Sequence, residues 1–407
     1  MNYSQVNNHL RLLAATVLGL GAFGQAAALS LPEVVEAAVQ RHPDRQLESA
    51  EHGLADAIRR KADQPLAADP SITLKHETDA IGNDLGFREW EGGAELPLWW
   101  PGQPDTYRRE ADRTQDAADA MSRARRLDIA GEVRERLWRL ELARNEHGLA
   151  ESALSVARQL ADDVTRRVNA GELPRSDSVL IQRELLARVD ALEQASSRLS
   201  EARSLFIRYT GAEANEPGRT ETESSARELP ADHPALLQAE ATVSRARAHR
   251  DRVKADRRAG PNLWLGARSE KPAAGVDYDS FVAAQISLPF GSEAHAGPDM
   301  AQAEAELIAA MAARERVRVG LEEALTSAVL ALDRTRGARQ RSQRRQVLAE
   351  ESLKLSRRAF ELGETDLVRL LQAQDAAISG RYDAEIRTIE HARAVARLNQ
   401  ALGVIPQ

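Results

Sequence analysis

The stretch "RVNAGELPRSDSVLIQ", residues 167–182, stops one long helical pattern and starts another. From about residue 105 up to Leu173 the chain carries no proline and is rich in Ala, Leu, Arg and Glu, all strong helix formers. Gly171 suits a left-handed C-cap and Pro174 blocks continuation, while Ser176 or Asp177 offers a cap to the returning helix. The stretch "AFELGETDLVRLLQ", residues 359–372, makes the same stop around Gly363. One helical hairpin written twice predicts a duplicated chain.

The duplication runs along the whole sequence at a near-constant offset of about 190 positions. "RHPDRQLESAE" (41–51) is repeated as "DHPALLQAEAT" (232–242), His42-Pro43 matching His233-Pro234. Pro70 matches Pro261, "AELPLWWPG" (94–102) matches "ISLPFGSEA" (286–294), and Gly211 matches Gly403. This divides the chain into residues 29–212 and 231–407, with the polar segment 213–230 as linker. Each copy predicts a first helix (32–64, 232–258), two short strands (71–78 with 88–98, 262–269 with 280–290), a very long helix (105–169, 299–361) and a return helix (175–209, 366–402). Along the return helix Leu185, Val189, Leu192, Leu199 and Phe206 step at coiled-coil spacing, and Ile378, Tyr382, Ile389, Ala392 and Ala396 do so more loosely. At about 1.5 Å per residue a helix of some 65 residues is roughly 100 Å long. The two shorter helices laid end to end match it, so each copy predicts one long helix beside a stacked pair.

The strands alternate. Ile72 and Leu74 oppose Thr73, Lys75 and Glu77, and Ala94 and Leu96, with Trp90, Gly92 and Leu98, oppose Glu89, Glu91 and Glu95. Leu263 and Leu265, with Ala267, oppose Trp264 and Arg268, and Val282, Ala284, Ile286 and Leu288, with Phe290, oppose Ala283, Gln285 and Ser287. Such strands fit either a half-buried soluble sheet or a membrane barrel with its apolar face in lipid. A soluble sheet needs a layer over its apolar face, and no segment is left over to supply one. Four strands cannot close a barrel, so the chain must pool them with other copies.

Composition agrees. The 407 residues are 43% hydrophobic and 29% charged but only 4% aromatic, which suits long helices packed through small residues. The net charge of −7 comes from interspersed charges, with no patch that argues for nucleic acid. Without cysteine there is no disulfide, thiolate metal site, cysteine nucleophile or lipidated N-terminus. Arg11, the apolar run 12–24 and the small residues 26–28 read as a signal peptide over 1–28. No later run is apolar enough for a membrane helix.

With this order in place the sequence resembles the outer-membrane efflux family (TolC-like outer-membrane factors) over essentially all of the mature chain. The resemblance rests on the duplicated helix order, on "ELPLWWPG" and "SLPFGSEA" as strand-to-helix corners, and on the two Gly-led tips. It implies a mainly α fold with a small membrane β part: a duplicated long-helix α-barrel whose four strands per chain pool, in a homotrimer, into a twelve-stranded outer-membrane β-barrel. It implies a passive export duct of a Gram-negative envelope, working with a periplasmic adaptor and an inner-membrane pump and embedded in outer-membrane lipid. Residues 80–86 and 271–279 become external loops. Val168, Gly171, Glu172, Leu173 and Pro174 become one adaptor-docking tip, and Leu362, Gly363, Glu364 and Thr365 the other. Relatives carry acidic residues at the gate just beyond the second tip. Here Arg369 and Gln372 hold those places, and Asp177 is the matched acid of the first copy. Arg369 either faces the tunnel axis beside Asp177 or pairs with Glu364 or Asp366 on its own chain.

No catalytic, cofactor or metal site is expected. His42 and His233 precede prolines and read as caps rather than ligands, His76, His295 and His391 are isolated, and no zinc-protease, nucleophile-elbow or phosphate-loop motif occurs. The Arg-rich run 334–346 reads as a solvated helix face, and Trp99 and Trp100 as interface residues. The rival reading is a soluble periplasmic coiled-coil scaffold or adaptor whose strands form a small domain.

Overall fold

The computed structural model describes residues 30–212, 221–290 and 293–406. The expected signal peptide and residues 213–220 of the expected linker lie outside these.

The first copy comprises α1 (Leu31–Arg41), α2 (Arg45–Ala62), β1 (Ser71–Thr78), β2 (Arg88–Pro97), α3 (Gln103–Asn169) and α4 (Arg175–Thr210). The second comprises α5 (Pro234–Ala255), β3 (Asn262–Lys271), β4 (Asp279–Ser287), α6 (Glu293–Glu361) and α7 (Leu367–Ala401). The 67 residues of α3 make a rod of about 100 Å. Antiparallel α2 lies along its first part, with Arg59 on Asp112 and Ser122 on Glu48, and α4 along its last part, with Arg198 on Glu146 and Arg136 over the Tyr209 ring. Helices α5 and α7 likewise follow one another between α3 and α6: Arg252 of α5 meets Glu110 and Arg393 of α7 meets Glu135 of α3, while Arg250 of α5 meets Glu304 of α6 and Asp383 of α7 meets Arg345 of α6. The result is four parallel lanes: α2 then α4, α3, α5 then α7, and α6.

The expected single helix over 32–64 breaks. His42 is extended (φ −67°, ψ 133°) because the residue before a proline is driven out of the helical region, and Pro43 has no N–H to continue the ladder. The break lets α1 tuck Val34, Val35 and Ala38 against Ile129, Val133 and Leu140 of α3 and Phe206 of α4. The two His-Pro pairs act alike as caps: His42 Nδ1 accepts from Asp44 N at 3.3 Å and His233 Nδ1 from Ala235 N at 3.2 Å.

The expected linker is not merely a spacer over its described part. Glu221 accepts two bonds from Arg134 of α3, at 2.8 and 2.7 Å. Arg134 is buried, and also donates to Gln400 Oε1 (2.5 Å) and the Val404 carbonyl (3.0 Å). Asn399 closes the group by donating to Glu221 Oε2 at 3.1 Å. A buried charge is tolerated only when paired and fully bonded. This node joins α3 of the first copy to α7 and the chain end of the second.

The four strands form one antiparallel sheet in the order β1-β2-β3-β4. The two strand pairs are thus joined by the β2–β3 pairing, and β1 and β4 are left as edges. Strand β4 ends at Ser287, so Leu288 and Phe290 lie beyond the ladder, as Leu98 lies beyond β2.

Candidate functional site

Register decides what the sheet can do. Opposed residues in an antiparallel ladder share a face. One row is Ile72, Ala94, Leu265 and Ala284, and the next is Leu74, Gly92, Ala267 and Val282. On the other side of the first lie Leu96, Leu263 and Ile286. All the residues expected to face lipid therefore fall on one continuous face, apart from Leu288, which is exposed just past the strand end. Among the described residues no helix packs on that face: Val282 is 92% exposed and Ile72 88%. The opposite face carries Lys75, Glu77, Glu89, Glu91, Glu95, Arg268, Glu270 and Asp279. There Trp264 lies flat where any side chain on Gly93 or Gly266 would collide with its ring, and donates to Thr73 Oγ1 at 3.0 Å. Those glycines make a seat for the indole.

The strand-to-helix corners are tied by the two tryptophans. Trp99 Nε1 donates to the Gln64 carbonyl and Trp100 Nε1 to the Ala259 carbonyl, both at 2.9 Å. They bind one corner of each copy into a single collar. Below it Tyr107 donates to Asp256 at 2.7 Å, and burial together with this carboxylate pushes the phenol up to about 12. Burial lowers the His233 imidazole below its ordinary value.

At the far end both hairpins use the same cap. Gly171 (φ 77°) and Gly363 (φ 74°) are left-handed, with Glu172 N on the Arg167 carbonyl and Glu364 N on the Ala359 carbonyl, each at 2.9 Å. This is the Schellman arrangement, and the positive φ alone demands glycine, since the space around both is open. The return helices start differently. Asp366 caps α7 by accepting from Arg369 N at 2.9 Å. Neither Ser176 nor Asp177 caps α4: Pro174 holds that position and both lie in the first turn, since proline arrives with the φ a helix start needs.

The tips pack against each other. Val164 and Ile181 meet Phe360, Leu367 and Leu370 in one buried cluster, with Arg167 stacked over Phe360 at 4.8 Å. Val168 and Leu173 are half-buried on this cluster, a correction to their expected place in an exposed turn: they are apolar and lie beside it. Thr365 is also half-buried. Glu172, Pro174, Leu362, Gly363 and Glu364 remain exposed. The cluster was missed in the sequence because its members come from both copies, although Leu367 and Leu370 stand at helical spacing just past Gly363.

The gate residues are not brought together within one chain. Among the described residues Arg369 forms no ion pair with Asp177, Glu364 or Asp366, and its side chain and that of Gln372 are exposed. Also among the described residues, no three His, Asp or Glu side chains group as a metal site, and no helix is long and apolar enough to cross a membrane.

No protein-family model and no curated protein sequence matches the chain. Solved structures match its fold closely. A membrane protein from Pseudomonas aeruginosa superposes with a TM-score of 0.73 at 18% identity, covering 92% of this chain and 90% of that one. CusC, described in terms of transmembrane channel formation, gives 0.72 at 15% identity, covering 92% of each chain. The outer-membrane protein VceC from Vibrio cholerae gives 0.71 at 15%, covering 92% of this chain and 96% of that one. The chain therefore shares the fold of these membrane proteins: mainly helical, with one four-stranded antiparallel sheet per chain.

Proposed function

We propose that this protein is the outer-membrane channel of a tripartite export system, a passive homotrimeric duct from periplasm to exterior. The observation that carries the proposal is the sheet: one continuous apolar face that none of the described residues covers, a charged opposite face, and two open edges. An open edge invites strand pairing, and an uncovered apolar face of this size invites lipid. Three such sheets, edge to edge, would close around the charged faces as a twelve-stranded barrel. The helices are built for the same symmetry. The α6 lane and the α2–α4 lane are the outer lanes, and both expose apolar side chains, including Ile308 and Leu330 on one and Leu54 and Leu186 on the other. A neighbouring copy would cover them.

The likeness to solved outer-membrane channels supports this reading over a soluble scaffold, which would have to leave the same apolar face in water. The two repeats, 29–212 and 231–407, are the units of the duct, and no step requires a catalytic residue or cofactor. The exposed tip residues would meet a periplasmic adaptor coupled to an inner-membrane pump, and the starts of α4 and α7, with Asp177, Arg369 and Gln372, would surround the narrow end. Fractionation tests the proposal: the mature chain is expected in outer-membrane vesicles on a density gradient, resistant to salt and alkaline extraction. Recovery in the soluble periplasmic fraction would refute it.

A further inference from the structure

The two faces of the sheet treat cations in opposite ways. On the charged face each cation has acids: Lys75 Nζ lies 2.6 Å from Glu77, and Arg268 lies 2.7 Å from Glu270, with Glu89 between them. On the apolar face the strands carry no Asp or Glu, and only two permanently charged residues, Arg88 and Lys271. These two stand directly opposite each other in the β2–β3 ladder, beside Thr78. Like charges in that relation repel. Among the described residues neither forms an ion pair: of the nearby loop carboxylate Asp79, Oδ2 accepts from Leu85 N at 2.7 Å and Oδ1 is buried without a hydrogen-bond partner.

Their height is as telling as their pairing. They occupy the last row before the two hairpin loops, at the end of the sheet remote from the helices. The next row inward holds Trp90, half exposed and stacked on His76 at 4.0 Å, with Ser269 and Ser280. Below that begin the aliphatic rows. Successive rows on one face are about 7 Å apart along the strand. Aliphatic band, then aromatic ring, then cations is the order of a membrane's hydrocarbon, interface and headgroups. A solvated rim would account for exposure, but not for two adjacent cations kept on the face with no acid.

We propose that Arg88 and Lys271 form a binding site for the phosphates of outer-leaflet lipid, a phosphorylated saccharolipid of the lipid A type, with the Trp90–His76 stack against its sugar and acyl boundary. The site rests on the barrel reading, since only then does this face meet lipid. A phosphate between the pair would replace their repulsion by two charge-assisted bonds. Three copies would carry three such sites around the outer rim.

Native mass spectrometry of the assembled full-length protein, released in mild detergent and titrated with bisphosphoryl lipid A, reports assembly and bound lipid together. The double variant Arg88→Gln, Lys271→Gln is expected to lose affinity by roughly fivefold per cation removed. Exchange of the two cations (Arg88→Lys, Lys271→Arg) should retain binding, and Lys75→Gln on the opposite face should leave it unchanged. Wild-type protein should show a similar loss with dephosphorylated lipid A, an arm that stands even if the double variant fails to assemble. Equal affinity of the double variant, or no preference of the wild type for the phosphorylated lipid, would overturn the site. Flotation of the wild type with zwitterionic phosphatidylcholine vesicles separates the two failures. Flotation without phosphate preference sinks the site alone, whereas no flotation sinks the barrel reading and the site with it.

Discussion

At the scale of single residues, the fold turns on side chains that change meaning with their neighbours one position away. Gln285 and Ile286 are adjacent in β4, yet Gln285 pairs with Trp264 on the charged face and Ile286 with Leu263 on the apolar one. Ile286→Arg should cost about 2–4 kcal/mol near the membrane midplane and reduce the amount of inserted protein, while Gln285→Arg should insert normally. Equal insertion of the two variants, measured by heat-modifiable mobility and surface yield, would contradict the assignment of faces. Arg369 tests the narrow end in the same way. It sits where relatives are expected to carry acids, and its guanidinium has no partner in its own chain among the described residues. In a ring of three copies Arg369→Asp should raise cation selectivity in planar bilayers, because a narrow opening lined by one sign of charge selects the other. Unchanged selectivity would place Arg369 away from the axis.

At the scale of elements, the hairpin tips carry the proposed docking surface on a locally encoded turn. Glycine ends each long helix because the left-handed residue forbids a side chain at little cost only there. The apolar residues around it then divide: Phe360, Leu367 and Leu370 pack inward, while Leu362 is 56% exposed beside Glu364. Leu362→Glu combined with Glu364→Arg should therefore leave assembly and thermal stability nearly intact and abolish export in a drug- or metal-sensitivity assay. Wild-type export would tell against docking through this tip. Much of this scale was legible in the sequence. Gly171 and Gly363 announced the hairpins and alternation announced the strands, because each depends on residues only a few positions apart. The pieces that were not legible depend on distant partners. The Arg134–Glu221–Asn399 node, the pairing of β2 with β3, and the burial of Val168 and Leu173 all join residues of different copies. The kink at His42 was locally readable from Pro43, but a continuous helical pattern on both sides concealed it. Arg88 and Lys271 had a usable signal too: both share strand parity with the apolar set.

At the scale of the whole molecule, a single chain ends its sheet on two edge strands, β1 and β4. Among the described residues its sheet has two free edges, its apolar face has no cover, and its outer helix lanes expose apolar side chains. Each of these would be met by the proposed assembly, in which copies join sheet to sheet and lane to lane. In that assembly the glycine tips, the tryptophan collar and the rods of about 100 Å would be the parts of one conduit. The claim is tested most directly by electron cryomicroscopy of the full-length protein in lipid nanodiscs. The account predicts three copies around one axis, a closed twelve-stranded barrel with Ile72, Leu265, Val282 and Ile286 in the lipid, and a helical tunnel projecting from one side. A particle whose sheets lie outside the disc, or whose copies leave the sheet edges unpaired, would contradict it.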